Sequence, residues 1–217
     1  MLDAQEITSE SLEILGKVVL SNIPVGGALI TCVWDSIKAH AAQKRLDEWK
    51  QMVEARLSSV EKSLDEVGSN ELFTSCIMKA TDAAIKTAQT DKRKYLADAV
   101  LNSINISIDE DVAMMYLDML DRFTVIHIKI LHYFNNPMLF INPQNYHMGS
   151  PIHPLLDALP ELRGKEDVVR KVVEDLYAEG LMEMDNISTM MTASGMVAQR
   201  TTVLGQEFVG FITQTNP

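Results

Sequence analysis

The chain is 217 residues long, 47% hydrophobic and 23% charged, a balance that supports a buried core and excludes an intrinsically disordered polymer. Thirty acidic against 19 basic side chains leave a net charge of −11, so phosphate backbones are repelled on average and general nucleic-acid binding is disfavoured. The two cysteines, Cys32 and Cys76, make no disulfide framework and read as small buried hydrophobes.

The opening residues include Asp3, Glu6, Glu10 and Glu13. A secretory or organelle address starts basic, so the cytoplasm is the expected location. Residues 7–20 place Ile7, Leu12, Ile14, Leu15, Val18 and Val19 at helical spacings. Pro24, Gly26 and Gly27 then interrupt the helix, because proline lacks a backbone donor and glycine costs helix stability. A second helix is predicted to restart near Ala28. The apolar run 18–34 has 17 residues, just short of a membrane-spanning helix. Segment 18–37 has two readings. One is a kinked helix buried in a bundle; the other is a membrane segment built on Ile23, Pro24, Gly26, Gly27 and Trp34.

From residue 38 to 67 there is neither proline nor glycine. Leu46, Trp49, Val53, Leu57, Val60, Leu64 and Val67 recur there in steps of three and four, which keeps one narrow stripe aligned, as in a coiled coil or an antiparallel bundle seam. Leu46, Trp49, Val53 and Leu57 are therefore candidate protein-interaction residues, and Gly68 is a plausible stop. A helix over 71–89, capped by Ser69 or Asn70, turns Leu72, Phe73, Cys76, Ile77, Ala80, Ala84 and Ile85 inward. The next, over 92–104, buries Tyr95, Leu96, Ala99, Val100 and Ile104. Lys92, Arg93 and Lys94 occupy its first turn, where the helix dipole disfavours cations, which predicts a compensating partner or nearby acidic side chains.

Asp109, Glu110 and Asp111 suit a helix start, and apolar residues from Val112 to Phe134 follow with helical periodicity, predicting one long helix over 109–135. Pro137, Pro143, Gly149, Pro151 and Pro154 make 137–154 a loop. A short helix over 154–162 leads through Gly164 to a longer one over 165–179, with Val169, Val172, Val173, Leu176 and Tyr177 inward and Gly180 closing it. Residues 181–184 and 199–203 predict a two-stranded β-wing before a last helix carrying Leu204, Phe208, Phe211 and Ile212.

The expected fold is mainly α: a helical bundle with a long coiled-coil-like helix over 1–122, and a small unit over 123–217 that shares the helix 109–135. The strings Leu176-Tyr177-Ala178-Glu179-Gly180-Leu181 and Thr202-Val203-Leu204-Gly205-Gln206-Glu207-Phe208, separated by the hairpin, make the C-terminal unit resemble a winged-helix domain. The whole chain also resembles an uncharacterised bacterial helical protein family that joins an apolar Pro-Gly-Gly N-terminal segment to a bundle and such a tail. That likeness is carried by Ile23-Pro24-Val25-Gly26-Gly27, Lys44-Arg45-Leu46 with Trp49, Lys92-Arg93 with Leu101-Asn102-Ser103, and the Thr202 string; it implies a bacterial origin and this domain order, but no activity.

Winged helices often place a recognition helix in the DNA major groove. Here that helix would offer Lys165, Arg170 and Lys171 as nucleic-acid contacts. Residues 138–217 nevertheless carry ten acidic side chains against five basic, and phosphate neutralisation supplies most non-specific affinity. A protein-docking wing is the preferred reading.

No phosphate-cradling glycine loop, nucleophile elbow or metalloprotease helix occurs. His127 and His132 lie five residues apart, about 140° around a helix, so they do not form a metal-binding pair; His147 and His153 flank the proline-rich loop. Asp118, Asp121 and His127 carry no further sign of acid–base work. Of 13 methionines, Met114, Met115 and Met119 suit core filling. Met184, Met190, Met191 and Met196 divide between core and an adaptable docking surface, with Met190 and Met191 as interaction candidates.

These residues predict a non-enzymatic interaction or regulatory protein, with no cofactor or metal, that forms a homo-oligomer or binds a protein partner. The alternatives are a membrane-active effector using 18–37 and a DNA-binding regulator.

Overall fold

The computed structural model describes residues 30–58, 70–105 and 107–213, with the backbone alone for residues 30–40 and 105. The predicted helix over 7–20, the Pro24-Gly26-Gly27 break and Val60, Leu64, Val67 and Gly68 lie outside the described residues. The chain divides into two compact units, Met1–Arg122 with Phe211–Pro217, and Phe123–Gly210.

In the first unit, α1 (Ile30–Leu57) packs on α2 (Glu71–Lys86) and α3 (Thr90–Asn105), and α2 and α3 pack on each other and on α4 (Glu110–Arg122). Leu46, Trp49 and Val53 are buried among Phe73, Cys76, Ile77 and Ala80 of α2 and Leu96, Ala97 and Val100 of α3 as parts of one core. The alanines let the helix backbones approach closely. Trp49 cannot bury its indole N–H unpaired without cost. Nε1 donates to Thr81 Oγ1 at 2.9 Å, and that hydroxyl donates to the Ile77 carbonyl at 2.6 Å. Asn70 caps α2 by accepting from the Phe73 N–H at 3.0 Å.

The long helix expected over 109–135 is two helices. α4 ends at Arg122 and α5 spans Val125–Asn135. Thr124 between them is extended (φ −82, ψ 165) and stands as the N-cap of α5. His127 Nδ1 accepts from the Thr124 N–H at 3.3 Å and lies 2.9 Å from Thr124 Oγ1. Periodicity is blind to this break because Phe123 remains buried across it, whereas a threonine that can bond locally offers the backbone an alternative to the helix ladder.

In the second unit α5 packs on α6 (Ile152–Ala158) and α7 (Glu166–Ala178). Short 3-10 turns occupy Pro137–Leu139, Pro143–Asn145 and Pro160–Leu162. Val169, Val172, Val173 and Leu176 of α7 are buried, but Tyr177, expected inward, is exposed. Gly180 at φ 73 ends α7 in a left-handed turn, with the Leu181 N–H on the Leu176 carbonyl and the Gly180 N–H on that of Tyr177, both at 2.9 Å. This pair of bonds closes a helix only where the turning residue tolerates positive φ.

The expected two-stranded wing is not formed: Met182 and Thr201 make an isolated antiparallel bridge, and no strand occurs among the described residues. The Glu183 N–H reaches the Arg200 carbonyl at 2.8 Å and the Thr202 N–H the Leu181 carbonyl at 3.1 Å. Pairing stops there. The Ser-, Thr- and Asn-rich residues beyond it favour local turns, and Thr192 caps the one-turn helix α8 (Ala193–Met196) by accepting from the Gly195 N–H.

The Thr202 to Phe208 string has a local explanation. Thr202 Oγ1 accepts from the Gly205 N–H at 3.0 Å at the start of α9 (Val203–Ile212) and donates to the Gly180 carbonyl at 2.6 Å. A Cβ on Gly205 would overlap the Leu181 carbonyl oxygen, and Phe208 is fully buried. Phe211 and Ile212, expected in the C-terminal unit, group instead with the first. Asn102 Nδ2 donates to the carbonyls of Phe211 and Thr213 at 2.9 and 2.7 Å, and the Tyr116 and Phe211 rings lie 5.5 Å apart.

Candidate interaction surface

The first-turn cations of α3 find their compensation within the first unit. Arg93 Nη2 pairs with Glu48 at 2.5 Å and Nη1 donates to the Thr87 carbonyl at 3.0 Å. Lys92 Nζ donates to the Asp121 carbonyl at 2.5 Å, and Lys94 pairs with Asp91 at 3.0 Å. Arg56 pairs with Asp98 at 2.6 Å; burial still holds the Asp98 carboxyl above its usual range, the guanidinium only partly offsetting the lost hydration. These groups are structural partners of one another.

The stripe Leu46, Trp49 and Val53 is covered by α2 and α3 of the same chain, and Leu57 is half-buried. The bundle-seam alternative therefore describes this stripe, and its buried members are no free surface for a second copy. Ile23, Pro24, Gly26 and Gly27 lie outside the described residues, and of Trp34 only the helical backbone is described. No helix among the described residues is long and apolar enough to cross a membrane.

On α7 the candidate nucleic-acid contacts are exposed but already engaged. Arg170 pairs with Asp167 at 2.8 Å, Lys171 with Asp175 at 2.5 Å, and Lys165 donates to the Glu161 carbonyl at 3.0 Å. Exposed pairs of this kind contribute only about 0–1 kcal/mol each, so they lock nothing. They do leave the solvent face of α7 a mosaic of both signs rather than a basic stripe.

The second unit exposes apolar surface elsewhere. The loop after α5 carries Met138, Leu139, Phe140 and Met148 at 56, 77, 45 and 75% exposure, and Met190 stands at 65%. An antiparallel bridge joins this loop to the methionine segment: Gly149 and Met191 exchange both backbone hydrogen bonds, at 3.1 and 2.7 Å. Met148 and Met190 each precede one partner of that bridge. The loop backbone is held at several points. Phe140 lies 5.8 Å from the buried Tyr133 ring, Asn142 accepts from the Gln144 N–H, and Tyr146 donates to Asp157, which pairs with Arg163. Fully burying such a side chain is worth about 1.5–3 kcal/mol; because each is already part-buried, the five together hold roughly 5–10 kcal/mol in reserve. Association costs roughly 4–15 kcal/mol, hence this patch can seed an interface but needs further area to hold one.

Of the interaction candidates named from the sequence, Met190 is exposed here and Met191 is half-buried beside it. Met138, Leu139 and Phe140 were not among them; their signal is an apolar triplet inside a proline-rich loop, where no periodicity directs side chains inward. Among the described residues no group of three or more His, Cys, Asp or Glu side chains could hold a metal ion. No protein-family model matches the chain, and neither curated proteins nor solved structures give a match.

Proposed function

We propose that this is a non-enzymatic interaction protein whose docking surface is the loop 138–148 together with Met190, and whose partner is a second copy or another protein. The observation that carries the reading is the concentration of exposed large apolar side chains on a tethered backbone in the second unit. Methionines suit such a surface because an unbranched, polarizable side chain repacks against varied partners. The finer architectural reading is a winged helix with a vestigial wing. It is supported by the order α5, α6, α7, the Met182–Thr201 bridge and the Thr202-capped α9. The paired cations of α7 favour protein over DNA as its ligand.

The test compares the full chain with Leu139→Asp/Met190→Asp by light scattering across a concentration series, and by pull-down with each as bait. The proposal expects a self-associated mass or a stoichiometric protein complex that the double variant loses while keeping its melting temperature. A native chain that is monomeric at every concentration and retains nothing the variant does not would overturn it.

A further inference from the structure

We propose that Met191 is an oxidation site at which the Arg200 guanidinium receives the sulfoxide oxygen, independently of what docks on the neighbouring surface. Arg200 Nη2 lies 3.3 Å from Met191 Sδ and donates to the Gly195 carbonyl at 2.8 Å. Its Nε is buried with no hydrogen-bond partner, and no carboxylate pairs with it among the described residues. A thioether is a weak acceptor, so this cation faces a sulfur that satisfies it poorly. A sulfoxide oxygen is a strong one, and a shielded guanidinium gains from each strong acceptor it meets.

The geometry around the pair is fixed. Arg200 is held by its own N–H on the Phe134 carbonyl at 3.0 Å and by its carbonyl accepting from Glu183 at 2.8 Å. Met191 is held by its pair of backbone hydrogen bonds with Gly149, and a Cβ on Gly195 would come within 3.1 Å of the Met191 Cβ. Met191 is half-exposed, whereas Met184 and Met196 are buried. A small oxidant therefore has access to Met191 that these two lack.

The oxidant is a hydroperoxide. A sulfur lone pair of Met191 attacks the distal peroxide oxygen; the S–O bond forms as the O–O bond breaks. Sulfur loses two electrons, and the departing oxygen takes the proton of the distal one to leave as water or an alcohol. At most methionines the product disrupts packing. Here the new oxygen meets a guanidinium.

One consequence separates this site from any exposed methionine. Oxidation creates a chiral sulfur with two epimers, and the guanidinium lies on one side of Met191 Sδ only. Folded full-length protein is treated with hydrogen peroxide, digested, and the sulfoxides at Met148, Met190 and Met191 resolved with the two epimer-specific reductases. The proposal expects an excess of about fivefold of one epimer at Met191, the selectivity of one modest hydrogen bond, and near parity at Met148 and Met190. The excess collapses in Arg200→Gln. Parity at Met191 in the native chain would overturn the proposal, as would Met191 remaining reduced while Met184 and Met196 oxidise. Should Arg200→Gln fail to fold, the epimer ratio of the native chain decides alone.

Discussion

The two units distribute polarity in opposite ways. Among the described residues the first buries Thr81, Lys92, Arg93, Asp98, Asn102 and Ser103, while the second buries only Ser150 and Thr201. Of the ten exposed large apolar side chains among the described residues, two (Met78 and Met115) lie in the first unit and eight in the second. A bundle seam made of leucines and alanines accepts many registers, and a buried cation that must meet its carboxylate, as Arg93 meets Glu48, penalises most of them. The second unit gets its uniqueness from backbone devices at Gly180, Thr202 and Gly205 instead. It can leave its apolar surplus on a loop.

The sharpest test of that contrast removes the central side chain of one unit and a backbone device of the other. Trp49→Ala should cost about 3–5 kcal/mol, since it empties a large buried volume and removes the indole donor from the Thr81 hydroxyl oxygen. Gly205→Ala should cost about 3 kcal/mol, because its methyl meets backbone at Leu181 rather than a side chain that can turn away. Urea titration of each variant reads both losses. If Gly205→Ala were neutral, the second unit would not depend on the close approach of α9 to residue 181.

The buried faces of α2 and, Tyr177 apart, of α7 were legible, as were the cap at Asn70 and the stop at Gly180, because helical period and capping chemistry are local. The compensation of Lys92 and Arg93 was foreseeable in kind, since dipole and charge demanded a counter-ion, but not in identity: Glu48 lies 45 residues away. The break at Thr124 was not legible, because the apolar period runs through it. Loop 138–148 escaped for a different reason: exposure is a property of what fails to cover a residue, and no local pattern encodes that.

Two smaller effects probe the polar interior of the first unit. Burial pushes the Cys76 thiol up to about 11 from 9.0, with Glu110 adding to the rise and Ser103 and Lys79 opposing it. The folded state therefore holds this proton more tightly than the unfolded chain. The associated stability is complete below pH 9 and is lost as pH rises through 11, roughly 2–3 kcal/mol in all. Cys76→Ala should flatten that part of the stability–pH curve, read by denaturant midpoints between pH 8 and 11; an unchanged slope would mean the thiol is hydrated. Glu48→Gln leaves the buried Arg93 guanidinium with the Thr87 carbonyl and Thr90 hydroxyl. Because Glu48 is itself partly exposed, the expected loss is about 1–2 kcal/mol rather than that of a fully buried pair. It should change little with salt, since the guanidinium end is shielded from solvent.

The smallest expected effect on stability is the most informative about the second unit. Leu139 extends into solvent from a 3-10 turn whose backbone bonds, Leu139 N–H to the Asn136 carbonyl at 3.2 Å and Phe140 N–H to that of Pro137 at 3.0 Å, do not involve its side chain. Leu139→Ser should therefore shift unfolding free energy by no more than about 0.5 kcal/mol, measured by the same urea titration, while weakening any complex that buries this loop. A loss of 2 kcal/mol or more would place Leu139 in a core, and the apolar surplus of the second unit would then be intramolecular packing rather than a surface held for a partner.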